Sequence, residues 1–346
     1  MSDGGHGDGV AWVPPPVAAP GRFAVCGDKK TRSVLCLLGV LVLILLVVSL
    51  LIGDGILALP DRLILLQIRL PRTLLAALVG AGLGLSGAVL QGALRNPLAD
   101  PGLLGITGTA GLGAAVVFYW GLAAHFAPAL PLGGLAGAAV GATFLLAFAG
   151  RAPSGPSLIL AGIAVSALSA SLLALALSLA PNPFALAEIT FWLLGGLNDR
   201  SLIHVALAAP PILLGVAILL RLGPGLDALS LGEETAASLG VPVGRTLVLA
   251  ATGTALAAGA GAAVAGGIGF VGLVVPHLLR PLLGQRPSAL LPASLLAGAA
   301  LLLAADLLVR VAPLVLPLSQ PLPLGVLTAL LGAPFVVVIA RRAPLP

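Results

Sequence analysis

The sequence predicts an all-α integral membrane protein of about ten transmembrane helices, and three observations carry that expectation. Of 346 residues, 59% are hydrophobic and only 8% are charged, whereas a soluble domain carries about a quarter of its residues as charges. A water-facing surface cannot be built from that supply. The charges that do occur stand far apart, and the apolar runs between them reach the roughly 20 residues that one helical crossing of a bilayer needs. The 46 glycines, with alanine in large excess over aromatics, suit helices that approach closely through small side chains.

Residues 1–32 are rich in Gly, Pro and Asp and have no periodic apolar face, so they read as a flexible cytoplasmic tail ahead of a membrane domain covering 33–346. The run 34–52 sits where a signal peptide would. It is too long for one and no small-residue cleavage site follows closely, so it reads as a retained helix. Further crossings are expected at 72–94, 103–121, 128–149, 158–180, 202–221, 245–265, 268–283, 289–310 and 322–340. The eighth segment is short and Gly-broken at its start, and such backbone is tolerated at membrane depth only where protein or a cavity covers it. With a cytoplasmic N-terminus, Arg62, Arg69, Arg72, Arg200 and Arg310 are the basic residues left outside, out of 17 Lys and Arg in all. The positive-inside rule therefore places both termini in the cytoplasm. The same distribution explains the formal charge of +5 without a nucleic-acid partner.

Arg72-Thr73-Leu74 opens the second segment with Gly80 eight residues on, and Arg245-Thr246-Leu247 opens the seventh with Gly253 at the same offset. An odd number of crossings separates them. This echo suggests an inverted repeat, the arrangement many transporters use around a central path.

The polar residues gather in a few places. Arg69-Leu70-Pro71-Arg72 leads into Gly84-Leu85-Ser86-Gly87, Leu90-Gln91 and then Asn96-Pro97-Leu98-Ala99-Asp100-Pro101. Gln91 and Asn96 stand near the inner end of a membrane helix, where they either line the path or shape a turn. Pro97 and Pro101 remove backbone donors and restrict the residues before them. A second cluster runs from Gly266 through Pro276 and His277 to Arg280. No second His, Asp or Glu stands at ligand spacing from His277, so a structural cap is expected there. The stretch Asp227 to Val241 is the most polar after the tail and reads as a short amphipathic helix pair on the cytoplasmic side. Its Leu and Ala residues suit a partner's groove, while Glu233 and Glu234 face water or a basic rim. On the outer face stand Arg69, Arg72 and Arg310, with Asp306 one turn below Arg310 as its i, i+4 partner. Arg69 and Arg72 have no carboxylate at that spacing unless Asp54 or Asp61 folds back, which leaves room for an acidic external partner.

Several chemistries find no footing. The only lysines are Lys29 and Lys30, and no Gly-x-x-x-x-Gly-Lys-Ser/Thr loop exists, so the chain has no P-loop of its own. Nearly all charges lie at segment ends, without the buried ionisable relay a proton-coupled carrier requires. His6, His125, His204 and His277 share no catalytic spacing, and Cys26 and Cys36 fit neither a disulfide framework nor a metal site. No catalytic or metal-binding residue is assigned. An energy source in trans is favoured, with an ion-gradient-driven secondary transporter as the alternative.

Over about residues 60–342 these motifs resemble the permease subunits of binding-protein-dependent ABC importers for iron-siderophores, haem and vitamin B12. The Arg-x-Pro-Arg and Asn-Pro-Leu-Ala-Asp-Pro motifs come first. Leu231-Gly232-x-x-x-Ala236-x-x-Leu239-Gly240, Gly269-Phe270-Val271-Gly272-Leu273 with Pro276-His277, and Leu322 to Ala329 with Gly332-Ala333-Pro334-Phe335 follow in order. The resemblance implies a type II importer permease in the bacterial inner membrane that works by alternating access. It also implies a dimer with a copy of itself or a paralogue, two P-loop ATPase subunits that bind ATP and Mg, and an extracytoplasmic substrate-binding protein. This chain would bind no cofactor itself. By motif, Arg69, Arg72 and Arg310 would receive glutamates of the binding protein. Leu231, Gly232, Glu233, Ala236, Leu239 and Gly240, within coupling helices at about 225–242, would sit in clefts of the ATPases. Ser154, Gly155 and Pro156 align with the cytoplasmic gate, where the Gly-Pro pair departs from the small hydroxyl residues of relatives.

Overall fold

The computed structural model describes residues 29–53, 61–122, 126, 128–315 and 322–342, with side chains described to residue 335. Most of the expected tail, with His6 and Cys26, lies outside the described residues, as do Asp54 and His125. Helix α1 (Lys29–Leu51) starts before the expected boundary, so Lys29, Lys30 and Arg32 are helical. Their long aliphatic stems let the first turn run on while the charged heads reach water.

α2 (Arg62–Ala93) is the longest span and contains a π-helical turn at Leu65–Arg69. A 3₁₀ turn (Pro101–Leu104) leads into α3 (Ile106–Tyr119), followed by α4 (Ala129–Ala149) and α5 (Gly155–Ser178). Next come α6 (Pro183–Leu193), α7 (Leu202–Leu220) and two short helices, α8 (Gly223–Leu229) and α9 (Glu233–Ser238). α10 (Val243–Ala265) carries a second π turn at Ala255–Gly259. α11 (Val271–Leu283), α12 (Pro287–Val311) and α13 (Leu324–Arg342) close the chain. Seven of these helices are long and apolar enough to cross a membrane, and α3, α6, α11 and α13 are shorter apolar helices. Each of the ten expected segments forms a helix. α6 was not foreseen: Pro183 at its first position and Asn182, whose side chain accepts from Ala185 N–H, turn a stretch read as a connection into a capped helix.

α2 and α10, the two helices of the sequence echo, are the most buried of the long spans, while α1 buries little and packs one face, with Leu35, Leu38, Val42, Leu45 and Leu46, on the first core. The echoed glycines nevertheless serve different neighbours. A Cβ at Gly80 would strike the Gly298 carbonyl of α12, so α2 and α12 touch backbone to backbone, whereas a Cβ at Gly253 would meet the Leu219 side chain of α7. Close approach through small residues is how helices gain contact where lipid offers no hydrophobic contrast. One core gathers Leu75, Val79, Ile212, Val264, Val271 and Leu302 around α2, and a second fills the space between α3, α4 and α5. A third joins Leu85 and Val89 of α2 to Leu226 and Leu229 of α8, Ala236 of α9 and Leu291 of α12.

The Gly-rich lead into α11 is covered by protein, as its polar backbone requires. Gly196 N–H donates to Ala265 O at 2.8 Å, Gly267 N–H to Leu193 O at 3.3 Å and Gly325 N–H to Gly195 O at 3.4 Å. The end of α6, the end of α10 and the start of α13 thus meet in one glycine junction. The end of α1 meets the start of α2 and the end of α12, and α8 meets the start of α12, so the bundle has a near end, where α1 starts and α8–α9 lie, and a far end, where α1 stops and Arg69, Arg72 and Arg310 gather.

Candidate functional site

At the far end Asp306 is the hub. Arg72 Nε donates to both of its oxygens at 2.9 and 3.2 Å, and Arg72 Nη2 lies 2.9 Å from Oδ1. Arg310, one turn further along α12, reaches Oδ2 through Nε at 2.9 Å and Nη2 at 2.6 Å. Planar guanidinium groups make such multi-point carboxylate pairs strong and directional. Arg310 also donates from Nη1 to the carbonyls of Ser49 at 2.7 Å and Ile52 at 3.1 Å, and from Nη2 to Ser49 Oγ at 3.1 Å. Arg69 Nη1 donates to the carbonyls of Leu50 at 3.0 Å and Leu51 at 2.7 Å. The last carbonyls of α1, which have no partner within their own helix, are therefore closed by two arginines.

This geometry revises the expected docking set. Arg310 has a side chain only 3% exposed and commits its donors inside the subunit, so it stands behind the surface rather than on it. Arg69 and Arg72 are half-buried and lie nearer to it. Asp306 serves Arg72 as well as the i, i+4 partner Arg310, and neither Asp54 nor Asp61 is needed to account for Arg72.

At the near end, α8 and α9 form the short helix pair expected there. Leu231 and Leu239 are 64% and 63% exposed, while Ala236 between them is fully buried in the third core. Ala236 therefore fastens the segment to its own subunit, contrary to the expectation that it meets a partner. Gly232 and Gly240 have φ of 114° and 83°, a left-handed region that side chains disfavour, so glycine sets the two turns that hold Leu231 and Leu239 outward. Glu233, expected to face water or a basic rim, turns inward on the cleft that Arg95 also lines, and its Oε1 accepts from the backbone N–H of Gly155 at 3.0 Å. Arg95, Ser154, Pro156 and residues Leu231 to Thr235 surround one cleft, so the expected gate and coupling segments are neighbours. Ser154 caps α5, forming a reciprocal box with Ser157.

Gln91 is buried between α2 and α11. Its Nε2 donates to the carbonyls of Gly272 at 3.3 Å and Leu273 at 3.4 Å, and its Oε1 accepts from Arg280 Nη2 at 2.7 Å. Gln91 thus joins two helices of one subunit rather than lining an open path. His277 lies 3.4 Å from Arg280 Nη1 through Nε2 and meets the Phe335 ring edge-on. The Asn-Pro stretch is a chain of turns: Asn96 Oδ1 accepts from Leu98 N–H and Asp100 Oδ1 from Gly102 N–H, both at 2.9 Å. Burial pushes the Asp100 carboxyl above the ordinary carboxylate range, opposed by the amides of Gly102 and Leu273. Pro101 and Pro276 are buried and Pro97 is exposed, and a Cβ at Gly272 would collide with Pro101, so this loop is seated on the first turn of α11.

Sequence reading gave Ser49 no role, and named Thr73 and Asp227 without foreseeing their contacts. Ser49 and Thr73 share a 2.7 Å hydroxyl contact beneath Arg310, and Asp227 accepts from Ser288 N–H at 2.9 Å. A small hydroxyl within an apolar run hinted at Ser49, and Thr73 stands beside Arg72. A far-end cavity of about 340 Å³, lined by Glu188, Trp192, Asp199, Arg200 and Pro323 among others, was likewise not foreseen because α6 was not. Burial there pushes the Arg200 guanidinium down from its usual range, against the pull of Asp199.

Residues 34–342 match the model of the FecCD transport family. The Fe(3+)-citrate import system permease protein YfmE of Bacillus subtilis is 40% identical over 323 residues, which is 89% of this chain and 94% of that protein. The vitamin B12 import system permease protein BtuC of Klebsiella pneumoniae is 39% identical over 324 residues, covering 91% of this chain and 96% of the relative. Among solved structures, a chain described as a metal-chelate type ABC transporter in an inward-facing conformation superposes with a TM-score of 0.79. It is 34% identical and covers 90% of this chain and 100% of its own.

Proposed function

The chain belongs to the FecCD transport family, and on that premise we propose that it is the membrane-spanning permease of a binding-protein-dependent importer, moving a ferric chelate into the cytoplasm. Relatives of similar identity include import permeases for ferric citrate and ferric enterobactin as well as for vitamin B12; the ferric chelate is the cargo proposed, with a cobalamin-type cargo as the alternative. The near end faces the cytoplasm of a bacterial cell, in its inner membrane, with both termini on that side. Two permease subunits, this chain with a copy or a paralogue, enclose the path. Two P-loop ATPases, which bind ATP and Mg, sit below them, and a substrate-binding protein docks at Arg69 and Arg72. This chain adds no cofactor or nucleotide site of its own.

One observation carries the reading: Leu231 and Leu239 stand exposed on a segment whose Ala236 is buried and whose glycines fix the turns. Apolar side chains held outward on a segment seated by its own buried Ala236 suit a groove in a partner. Closure of the ATPases pushes on this segment, and the neighbouring Ser154, Gly155 and Pro156 respond as the cytoplasmic gate. Purification in mild detergent from the native host tests the assembly. The expected result is co-purification of a P-loop ATPase whose hydrolysis rises when the cognate binding protein is added. A partner-free protein indifferent to nucleotide would instead support an ion-gradient-driven carrier.

A further inference from the structure

The α8–α9 pair is tied to the bundle by two carboxylates, and each holds the first turn of a different long helix. Glu233 Oε1 accepts from Gly155 N–H at 3.0 Å, at the start of α5. Asp227 Oδ1 accepts from Ser288 N–H at 2.9 Å, and its Oδ2 accepts from Arg286 Nε at 3.2 Å, at the start of α12. First-turn amides have no partner within their helix and form the positive end of its dipole, so a carboxylate there makes a charge-assisted bond.

Neither contact duplicates what its helix already has. In α5 the Ser154 side chain accepts from Ser157 N–H, and Pro156 has no N–H, so Glu233 supplies the acceptor that the local cap leaves wanting at Gly155. In α12 Pro287 occupies the first position, and Ser288 is the first residue of the helix with an amide to give. Apolar packing of Leu226 and Leu229 near Leu291 resists compression of α8 against α12. Such packing is non-directional. The carboxylate bonds are directional, and they resist sliding and separation.

Resting on the importer reading above, we propose that Glu233 and Asp227 are positioning residues that carry movement of the coupling segment along two separate routes. Glu233 lies two residues from the exposed Leu231, so displacement of α9 passes directly to the start of α5, beside the gate loop. Asp227 passes displacement of α8 to α12, which runs from Ser288 to Arg310, a rise of roughly 30 Å, and ends in the Asp306 hub that binds Arg72. One route serves the gate and the other links the ATPases to the binding-protein end.

Two readouts on the whole complex in proteoliposomes separate the routes, using the cognate binding protein supplied outside and ferric citrate as the probe chelate. With Glu233→Ala, uptake per ATP hydrolysed should fall about tenfold, the scale of one lost hydrogen bond to a charged group. With Asp227→Ala, stimulation of hydrolysis by the binding protein should fall by a similar factor. Glu233→Gln and Asp227→Asn keep an acceptor oxygen and should restore most of each loss. Wild-type ratios in both alanine variants, or equal losses of both readouts in each, would overturn the proposal. Failure of the alanine variants to assemble, with no rescue by the amides, would also overturn it and leave only a structural role. If the wild-type complex shows neither uptake nor stimulation, the importer reading itself fails, which is distinguishable from a failure of the two routes alone.

Discussion

Asp306 accepts from two arginines on different helices, so Arg72 and Arg310 share one carboxylate deep at the far end. Removing one member of a buried charge cluster leaves the others uncompensated, at a cost of about 3–5 kcal/mol. Arg72→Glu would go further and set two carboxylates against each other. Its expected outcome is a marked loss of thermal stability in detergent, whatever happens to docking. Arg69 donates to the carbonyls of Leu50 and Leu51 at the end of α1. Arg69→Glu should weaken binding-protein docking by at least about tenfold, the scale of one charge-assisted contact, as measured by surface-immobilised binding to the detergent-solubilised permease, with its thermal stability read alongside. Unchanged docking together with unchanged stability would remove Arg69 from the interface.

Among the elements, α8 and α9 are each followed by an exposed leucine, Leu231 and Leu239, within the most polar stretch after the tail. Leu231→Asp with Leu239→Asp should release the ATPase subunits during purification while the permease itself stays folded, since both side chains are outside its core. Normal co-purification would count against the coupling role. The segment's existence was legible in the sequence because a run from Asp227 to Val241 breaks the apolar pattern. The inward turn of Glu233 and the burial of Ala236 were not legible. Both depend on which face of a six-residue helix meets α5 and α10, and so short an element has too few turns to show a periodic face. The long spans were the opposite case. Each needs only a sufficient apolar run, so all ten stood within a few residues of their expected limits apart from the earlier starts of α1 and α2. α6 escaped because its eleven residues fall below that length. The pairing of Arg72 with Asp306, 234 residues apart, could not be read from local spacing of any kind.

For the whole molecule, the fold separates its polar business to the two ends and leaves the interior to small and aliphatic residues. The far end holds an arginine cluster closed around Asp306, and the near end offers a firmly seated helix pair with apolar side chains outward. α5 and α12 connect the near-end pair to the rest of the bundle. Such an architecture suits a body moved by partners rather than one that captures energy itself, since the described spans carry no midplane chain of ionisable groups. The decisive measurement is uptake of radiolabelled ferric citrate and cobalamin by proteoliposomes containing the permease with its co-purified ATPases. Binding protein is supplied outside and ATP inside, with no ion gradient. The account predicts ATP-dependent accumulation of the ferric chelate that vanishes without the binding protein. Accumulation driven by an imposed proton or sodium gradient, and indifferent to ATP, would contradict it.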